Sequence, residues 1–303
     1  MQNQPLPLIL SFGVCDPVGA LGVQSDVAAF AALGCHGLSA IAGLLVSDSA
    51  RVEHMYELDS DWMAEQARAL LEDMPIAAFK VGAVGTALHL AAIAEIVSDY
   101  PDAPLILDPF LSALPDAGMG DEEMLMALRS ILAPQATALI LSQAELGRMA
   151  ELWRDGGDAD PCNLAEDVAE LTSSGLQYVL VTGTRDTAGA CSNRLFDASG
   201  EVARVDWQHL PGPFLGAGNT YSAAFTALIV FVGGVCGVSL GRWLIDRKAP
   251  PAPKHDHAGE GERADTDVFA AVAVAVPTEG AEGETEIIET RPKQEHAWVD
   301  YIR

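Results

Sequence analysis

The chain has 303 residues, of which half are hydrophobic, and a formal net charge of −26. This length suffices for one large core or for one domain with an appendage. The acidic balance argues against a nucleic-acid surface, which needs clustered Lys and Arg. The five cysteines form no Cys-x-x-Cys pair, and the first residues lack the basic region of a signal peptide. We therefore expect a cytoplasmic protein without a disulfide framework or a zinc site.

Apolar runs alternate with amphipathic segments between residue 6 and about residue 240, which is the pattern of an α/β domain. In chain order, the pattern predicts strand Leu8–Cys15, helix Gly22–Leu33, strand Gly37–Val46, edge strand Arg51–Leu58, helix Asp61–Leu71, strand Ala77–Val81, helix Ala87–Asp99, strand Pro104–Leu107 and helix Asp121–Ile131. It continues with strand Ala138–Leu141, a helix from about Gln143, helix Leu164–Ser173, strand Tyr178–Thr182, and a hairpin of Cys191–Asp197 and Val202–Trp207. An apolar helix over Tyr221–Val232 follows, and Gly233-Gly234 is expected to end it.

The sharpest local motif is the glycine turn Gly216-Ala217-Gly218-Asn219-Thr220, which opens that last apolar helix. Small residues let successive backbone N–H groups point at one spot, and a helix start adds unpaired donors and the positive end of the helix dipole. Such a turn can hold an anionic phosphoryl group and stabilise its transfer. An isolated Gly-x-Gly more often only caps a helix, and this one is neither a Walker A loop nor a complete Gly-x-Gly-x-x-Gly motif. Its position after a full α/β domain favours the phosphate interpretation.

A second motif, Asp16-Pro17-Val18-Gly19-Ala20-Leu21-Gly22, follows the first predicted strand. Ligands of open α/β sheets bind beyond the carboxyl ends of the strands, so Asp16 is placed to hydrogen-bond a substituent of a small molecule. Asp16 and Pro17 are equally well explained as residues that only make the turn. From the residues alone, the two interpretations stay open.

Several motifs together resemble one known family. Residues 16–26 are similar to the Gly-Ser-Asp-Pro-Ser-Gly-Gly-Ala-Gly-Ile-Gln-Ala-Asp segment of the hydroxymethylpyrimidine and phosphomethylpyrimidine kinases of thiamine biosynthesis. Residues 33–37, 79–82, 107–109 and 181–183 also resemble that family, in the same order. The turn at 216–220 falls where the family has its anion hole, so the resemblance extends over roughly residues 8–232.

This resemblance implies an α/β protein with the ribokinase-like three-layer α/β/α sandwich and a mostly parallel central sheet. It implies a phosphotransferase that moves a phosphoryl group from ATP, with Mg²⁺, to hydroxymethylpyrimidine or its monophosphate. By resemblance, the catalytic residues are Gly216, Ala217, Gly218 and Asn219, the substrate-binding residues are Asp16, Gly19, Gly22, Ser47 and Gly82, the nucleotide-binding residues are Thr182 and Gly183, and the metal ligands are Asp108 and Glu145. Without it, Asp108 reads as a strand-end turn residue and Glu145 as a first-turn helix acid. Related kinases are commonly dimers, so a homodimer is a further expectation.

The chain departs from the family pattern at four places. Asn219 stands where the wider class usually has an aspartate base and pyrimidine kinases often have cysteine, and a neutral amide cannot accept a proton as those groups can. Ser47 replaces a Gln or Glu, which weakens the expected pyrimidine contact, and Ser142 replaces the Asn of an Asn-x-x-Glu motif, which weakens the metal assignment. Residues 242–303 do not resemble the helices that complete the family's adenine pocket. These departures motivate an alternative, a catalytically weakened pyrimidine-binding or regulatory protein on the same fold.

The composition of the chain changes after about Arg242. We therefore expect a kinase domain over residues 1–241, C-terminally incomplete relative to the family, and a disordered acidic low-complexity tail over residues 242–303. A fusion, a frameshifted gene end or a divergent tail would each explain this region. Thr220–Gly241 is uncharged and meets the length criterion for a membrane span. A buried helix behind the phosphate turn is the favoured interpretation, because a span would pull the domain apart.

Overall fold

The structure, a computed structural model, describes residues 6–111, 122–153, 164–185, 191–207 and 215–236, with side chains up to Phe231. The predicted tail at 242–303 and the last residues of the predicted domain, 237–241, lie outside the described residues. Within the described ranges, no helix is long and apolar enough to cross a membrane. The apolar helix that follows the phosphate turn instead packs against the sheet.

Nine strands form a single sheet within these ranges. They are β1 (Leu8–Cys15), β2 (His36–Ser47), β3 (Val52–Glu57), β4 (Ala78–Val81), β5 (Leu105–Leu107), β6 (Ala138–Ser142), β7 (Tyr178–Arg185), β8 (Cys191–Asp197) and β9 (Gly200–Trp207). Their order across the sheet is β3-β2-β1-β4-β5-β6-β7-β8-β9. Strands β2, β1, β4, β5, β6 and β7 are parallel to one another. Strands β3, β8 and β9 pair antiparallel at the two edges.

The described α-helices are α1 (Gly22–Ala32), α2 (Ser60–Asp73), α3 (Ala87–Ser98), α4 (Glu122–Ala127), α5 (Gln143–Ala150), α6 (Leu164–Ser173) and α7 (Ala217–Cys236). Side-chain caps start three of them, and the cap of α5 belongs to the site described below. The Asp59 carboxylate accepts from the Asp61 N–H before α2, and the Thr86 hydroxyl accepts from the His89 N–H before α3. Each cap satisfies a backbone donor that the first helical turn leaves unpaired.

The two faces of the sheet carry separate apolar cores, because successive strand side chains point to opposite sides. On one face, side chains such as Leu10 and Phe79 pack with helices α2 to α6. On the other face, Ile9 packs with Phe30 of α1, and Phe225 of α7 packs over the strands from β5 to β8. The result is the three-layer α/β/α sandwich with a mostly parallel central sheet that the resemblance implied.

Most predicted bounds differ from the observed ones by at most two residues, and three elements differ by more. The helix expected over Asp121–Ile131 is α-helical to Ala127 and continues as a π-helical turn over Leu128–Leu132. The strand expected to end at Thr182 runs on to Arg185. The prediction that Gly233-Gly234 ends the last helix is wrong, because α7 continues to Cys236. A helical glycine costs only about 1 kcal/mol relative to alanine, which by itself does not stop a helix.

The strand order reverses at β1, because β2 lies on one side of it and β4 on the other. In open α/β sheets, a crevice forms at such a point, outside the carboxyl ends of the strands. Asp16 follows β1, Ser47 ends β2, Gly82 follows β4 and Asp108 follows β5. The topology therefore brings four of the predicted site residues to one edge of the sheet.

Candidate active site

The phosphate turn opens α7 at this crevice. Gly216 has a left-handed backbone, with φ +83°, and the Thr220 N–H donates to the Gly216 carbonyl at 2.9 Å, as in a regular first turn. The N–H groups before Thr220 have no carbonyl partner within the helix. Ala217 and Gly218 are exposed, and no atom lies within 4 Å of the position that a Cβ on Gly218 would take. The turn therefore has open space in front of it, as an anion site requires.

The loop after β1 is held by the Asp16 carboxylate. Its Oδ2 accepts from the N–H groups of Ala20 and Leu21, both at 2.9 Å. Its Oδ1 accepts from the Val18 N–H at 3.2 Å and from the Ser47 hydroxyl at 2.5 Å. Four donors fill the acceptor positions of a carboxylate, so Asp16 organises its own loop and Ser47 supports it. A direct contact between Asp16 or Ser47 and a substrate stays a prediction.

The loop and the phosphate turn pack directly against each other. A Cβ on Gly216 would lie 1.8 Å from the Ala20 carbonyl oxygen, so only glycine fits there. Position 22 likewise accepts only glycine, because its φ is +64° and a Cβ on Gly22 would lie 2.1 Å from the Val14 carbonyl oxygen. Gly19 closes the loop by donating its N–H to the carbonyl three residues earlier at 3.0 Å. The predicted substrate loop and the phosphate turn thus form one continuous surface.

A small open pocket lies between the loop and the turn. Its lining residues are Val14, Leu21, Gly22, Leu45, Ala83, Phe110 and Asn219. The lining is mostly apolar, with the Asn219 side chain as a polar member, which is the character of sites for small molecules. Phe110 has a left-handed backbone, with φ +49°, which is unusual for a bulky residue. Gly82, expected to bind substrate, lies close by, because a Cβ on it would be 3.7 Å from the Asn219 Oδ1.

A buried polar cluster lies beneath the turn, on the face of the sheet that α1 and α7 cover. Lys80 of β4 is fully buried, and its ammonium group forms an ion pair with Asp26 of α1 at 2.8 Å and donates to the Asn219 Oδ1 at 3.3 Å. The Asn219 amide nitrogen donates to the Asp26 Oδ1 at 2.9 Å and to the Gly22 carbonyl at 3.3 Å. The Ser11 hydroxyl, opposite Lys80 on β1, donates to the other Asp26 oxygen at 2.6 Å. Ser11, Asp26, Lys80 and Asn219 are called the Lys80 cluster.

No role is predicted from the sequence for Lys80 or Asp26, although both lie in segments that carry the family resemblance. The sequence does hold a signal for Lys80. A lysine inside the apolar run Ala77–Val81 needs a buried partner, because an unpaired buried charge is very costly. The partner cannot be identified in the same way, since Asp26 lies on another element and only the fold brings the two together.

The carboxylates expected to bind a metal follow β5 and β6. Asp108 accepts a hydrogen bond from Ser222 of α7, and its Oδ2 lies 4.0 Å from the Lys80 Nζ. Burial raises the pKa of Asp108 to about 6, and the charge of Glu145 adds to this increase, whereas Lys80 and Ser222 oppose it. Glu145 forms a capping box at the start of α5, where its Oε2 accepts from the Ser142 N–H at 2.8 Å and from the Ser142 hydroxyl at 2.7 Å.

Two carboxylates whose charges repel each other fit a divalent cation. A cation near Asp108 and Glu145 would stabilise the ionised form of both groups. Mg²⁺ commonly takes one or two protein carboxylates and completes its shell with waters and substrate phosphates. In the part of the chain that the structure describes, no group of three or more such side chains could hold a metal alone. The pair therefore suits a magnesium ion that arrives with a nucleotide.

The expected nucleotide-binding residues lie in an irregular stretch of β7, where its register with β8 shifts. Gly183 has φ +65°, and its N–H donates to the Asn193 Oδ1 at 3.1 Å. The same oxygen accepts from the Trp207 ring N–H at 3.1 Å, and the Thr182 hydroxyl donates to the Leu141 carbonyl at 3.3 Å. Thr182 pairs with the end of β6, next to α5, and does not line the pocket beside Asn219.

Comparisons with known proteins match most of the chain to one family. The family model described as phosphomethylpyrimidine kinase matches residues 16–231. A hydroxymethylpyrimidine/phosphomethylpyrimidine kinase of Streptomyces coelicolor is 27% identical over 210 residues, which cover 68% of this chain and 76% of that protein. The protein of the same name from Escherichia coli is 26% identical over 219 residues, which cover 72% of this chain and 81% of that protein.

Solved structures share the fold. The phosphomethylpyrimidine kinase of Clostridium difficile superposes with a TM-score of 0.60 at 21% identity, over 74% of this chain and 91% of that chain. The pyridoxal kinase of Bacillus subtilis, solved as an ADP complex, superposes with a TM-score of 0.66 at 21% identity, over 78% of this chain and 87% of that chain. The fold is therefore that of the ribokinase-like vitamin kinases. Because the family match spans most of the sequence, including the loop, Lys80 and the phosphate turn, the chain belongs to the phosphomethylpyrimidine kinase family.

Proposed function

We propose that this protein transfers a phosphoryl group from ATP to the hydroxymethyl group of 4-amino-5-hydroxymethyl-2-methylpyrimidine, to the phosphate of its monophosphate, or to both. The observation that carries the proposal is the open phosphate turn beside a mostly apolar pocket. A phosphoryl group on the turn would lie next to an acceptor oxygen presented from the pocket, as transfer requires. The relatives in Streptomyces coelicolor and Escherichia coli are named for this activity.

The pocket supports binding of a flat heteroaromatic ring. Val14, Leu45 and Ala83 offer apolar contacts, and Phe110 offers an aromatic ring. Since the Asp16 carboxylate is already bonded within its loop, we assign its effect on substrate to the placement of the loop backbone. The backbone groups of this loop then supply polar contacts to the ring.

The proposed transfer does not need a general base at position 219. Asn219 is neutral and cannot accept a proton as a carboxylate or thiolate can. The transition state of phosphoryl transfer is loose, and most of its stabilisation comes from positioning and from groups that face the developing charge. The N–H groups of Ala217, Gly218 and Asn219 at the start of α7 are such groups.

ATP would lie over the carboxyl ends of β6 and β7, with its phosphates directed toward the phosphate turn. Thr182 and Gly183 would contact the nucleotide, and Asp108 and Glu145 would hold Mg²⁺. When bound, Mg²⁺ neutralises charge on the phosphate oxygens. The pyridoxal kinase of Staphylococcus aureus has been solved with AMP-PCP and pyridoxal together, which supports a nucleotide and a ring substrate side by side on this fold.

The alternative, a catalytically weakened binding or regulatory protein, is not favoured, because the relatives that this chain matches over most of their length are named as kinases. An ADP-release assay of the pure folded protein with the aminopyrimidine and with its monophosphate tests the choice. Turnover of either acceptor supports the proposal. Binding of the pyrimidine in calorimetry without turnover of either acceptor would support the alternative instead.

An exposed apolar face at one end of the sheet supports a homodimer, which we also propose. Leu44 and Val46 of β2 are 44% and 40% exposed, and Tyr56, paired with Leu44 on β3, is 63% exposed. Grouped apolar side chains on an exposed surface are typical of protein contacts. Tyr56→Lys should then convert a dimer to a monomer in analytical ultracentrifugation. A monomeric parent protein would reject the dimer.

We propose that residues 1–241 form the kinase domain, that residues 242–303 take no part in the chemistry, and that the protein works in the cytoplasm. The family match ends at residue 231. Cys15, Cys35 and Cys191 are free thiols, which agrees with a reducing compartment.

A further inference from the structure

We infer that Lys80 is a positioning residue for phosphoryl transfer, which acts through Asp26 and Asn219 on the first turn of α7. The inference rests on the proposed kinase function and adds a residue to it. Lys80 does not line the pocket. Its proposed effect is to fix the direction in which the N–H groups of the phosphate turn point.

A lysine at this position needs an explanation beyond stability. Lys80 is 0% exposed, and its neighbours across the sheet and along β4 on the same face include Ile106 and Ala78 of the apolar core. Taking a charge out of water is costly, and a buried ion pair is often no more stabilising than apolar residues of the same volume. Well-packed apolar side chains in place of both Lys80 and Asp26 would therefore serve the fold as well, so the ion pair points to a second role.

The cluster joins the sheet, α1 and the start of α7. Asn219 is the third residue of α7, and its side chain is held by Lys80, by Asp26 and by the Gly22 carbonyl. One turn further on, the Ser222 hydroxyl donates to the Asn219 carbonyl at 2.9 Å. The first turn is therefore fixed from its side chain and from its backbone. A misplacement of reacting groups by about 1 Å can slow a reaction by about 100-fold.

The amide of Asn219 matches the ion pair beneath it. The amide oxygen accepts from Lys80, while the amide nitrogen donates to Asp26 and to the Gly22 carbonyl. A carboxylate at position 219 has no N–H to donate to either acceptor, and it would place a second negative charge beside the Asp26 carboxylate, where like charges disfavour each other. The asparagine at position 219, where this chain departs from the family pattern, therefore suits a residue that bonds to both Lys80 and Asp26.

The test compares Lys80→Met with the wild-type protein by turnover and by nucleotide binding. We expect kcat to fall by about 100-fold, whereas KM for the pyrimidine stays within about twofold, because Lys80 itself does not line the acceptor pocket and its apolar lining is unchanged. In calorimetry with Mg²⁺, the affinity for AMP-PCP relative to ADP should fall by about tenfold, since only AMP-PCP places a group at the γ-phosphoryl position. Unchanged kcat and an unchanged affinity ratio would overturn the inference.

Two further variants separate positioning from stability. Ile93→Ala removes a fully buried side chain on the opposite face of the sheet and should lower the melting temperature without changing kcat or the affinity ratio. The double variant Lys80→Met with Asp26→Asn restores charge balance, so its melting temperature should rise above that of Lys80→Met while kcat stays low. If kcat recovers together with the melting temperature, Lys80 serves stability alone and the inference is rejected.

The remaining outcomes are also decisive. If Lys80→Met does not fold, Ser11→Ala takes its place, because it removes only the hydroxyl bonded to the far Asp26 oxygen. An unchanged kcat in Ser11→Ala would then reject the inference. If the wild-type protein does not turn over the pyrimidine, the proposed function fails, and the affinity ratio of Lys80→Met, or of Ser11→Ala in its place, still decides the role of the cluster.

Discussion

Two polar groups of side chains flank the same pocket, and they are built in opposite ways. Around Asp16, the donors are mostly backbone N–H groups within five residues of the carboxylate, with Ser47 as the one side chain from another strand. In the Lys80 cluster, every partner is a side chain or carbonyl from a distant part of the chain. The first group shapes one loop, whereas the second fixes how the sheet and two helices meet.

This difference predicts which parts of the protein a substitution in each group affects. A change at Asp16 should disturb the loop and the substrate contacts that depend on it. A change at Lys80 leaves a charged partner buried at the junction of three elements, so it should affect both stability and the phosphate turn. Four changes, taken from the largest expected effect to the smallest, test this contrast.

Lys80→Met should lower the free energy of unfolding by about 3–5 kcal/mol, because it leaves Asp26 buried without its countercharge. Urea denaturation followed by circular dichroism at neutral pH measures the change. The double variant with Asp26→Asn is the control, and it should lose less. A loss below about 1 kcal/mol in Lys80→Met would show that Asp26 does not depend on the lysine for its charge compensation.

Gly216→Ala should destabilise the protein by about 3 kcal/mol and abolish turnover, because the new Cβ would lie 1.8 Å from the Ala20 carbonyl oxygen and φ is +83°. Gly218→Ala is the matched control, since its Cβ would meet open space. Its unfolding free energy should stay within about 0.5 kcal/mol of wild type. Thermal unfolding and the ADP-release assay measure both variants, and equal losses in the two would contradict the contact between loop and turn.

Asp108 should make the metal-free protein less stable as pH rises. Its pKa is raised from 3.8 to about 6, so between these values the folded state binds more protons than the unfolded state. The resulting stability is present below about pH 4 and is lost as pH rises through about 6, by about 3 kcal/mol. Asp108→Asn removes this loss, so its stability relative to wild type should increase with pH. Parallel pH profiles of the two proteins in chelator would reject the assignment.

Asp16→Asn should cost about 1–2 kcal/mol, because an amide accepts fewer of the loop N–H groups than a carboxylate. Ser47→Ala removes one of the four donors and should cost about 1 kcal/mol. Both variants should raise KM for the pyrimidine more than they lower kcat, unlike Lys80→Met. Initial-rate kinetics over a range of pyrimidine concentrations check this order, and a pure kcat effect would erase the contrast between the two groups.

Local pattern was enough to predict most elements of the fold. The apolar run of β1 predicted its observed bounds, Leu8–Cys15, and the glycine-rich turn before α7 marked a helix start. Features that depend on packing were missed, such as the π-helical turn over Leu128–Leu132 and the extension of β7 to Arg185. Periodicity reports only which side of an element is buried, so it cannot show where tertiary contacts extend or distort that element.

The candidate site was predictable to the same degree. The sequence identified Asp16 but left open whether it makes the turn or contacts a ligand, and the structure shows that its oxygens make the turn. Asn219 was marked as a departure from the family, yet the partners that suit an amide at this position, Lys80 and Asp26, lie on other elements. Pairings between such distant residues are set by topology, and no local pattern encodes them.

The alignment of Lys80 with Ser11 on β1 and with Ile106 on β5 has a consequence for how the sheet assembles. A shift of β4 by one residue would turn its side chains over and drive an ammonium group into the apolar layer under α2 and α3. The core side chains around β4 on that side are apolar, so the misaligned pairing would separate the lysine from Asp26 and leave its charge in an apolar layer. Lys80 therefore disfavours wrong alignments of β4 at the centre of the sheet. Without it, a strand of only four residues would distinguish poorly between alternative registers.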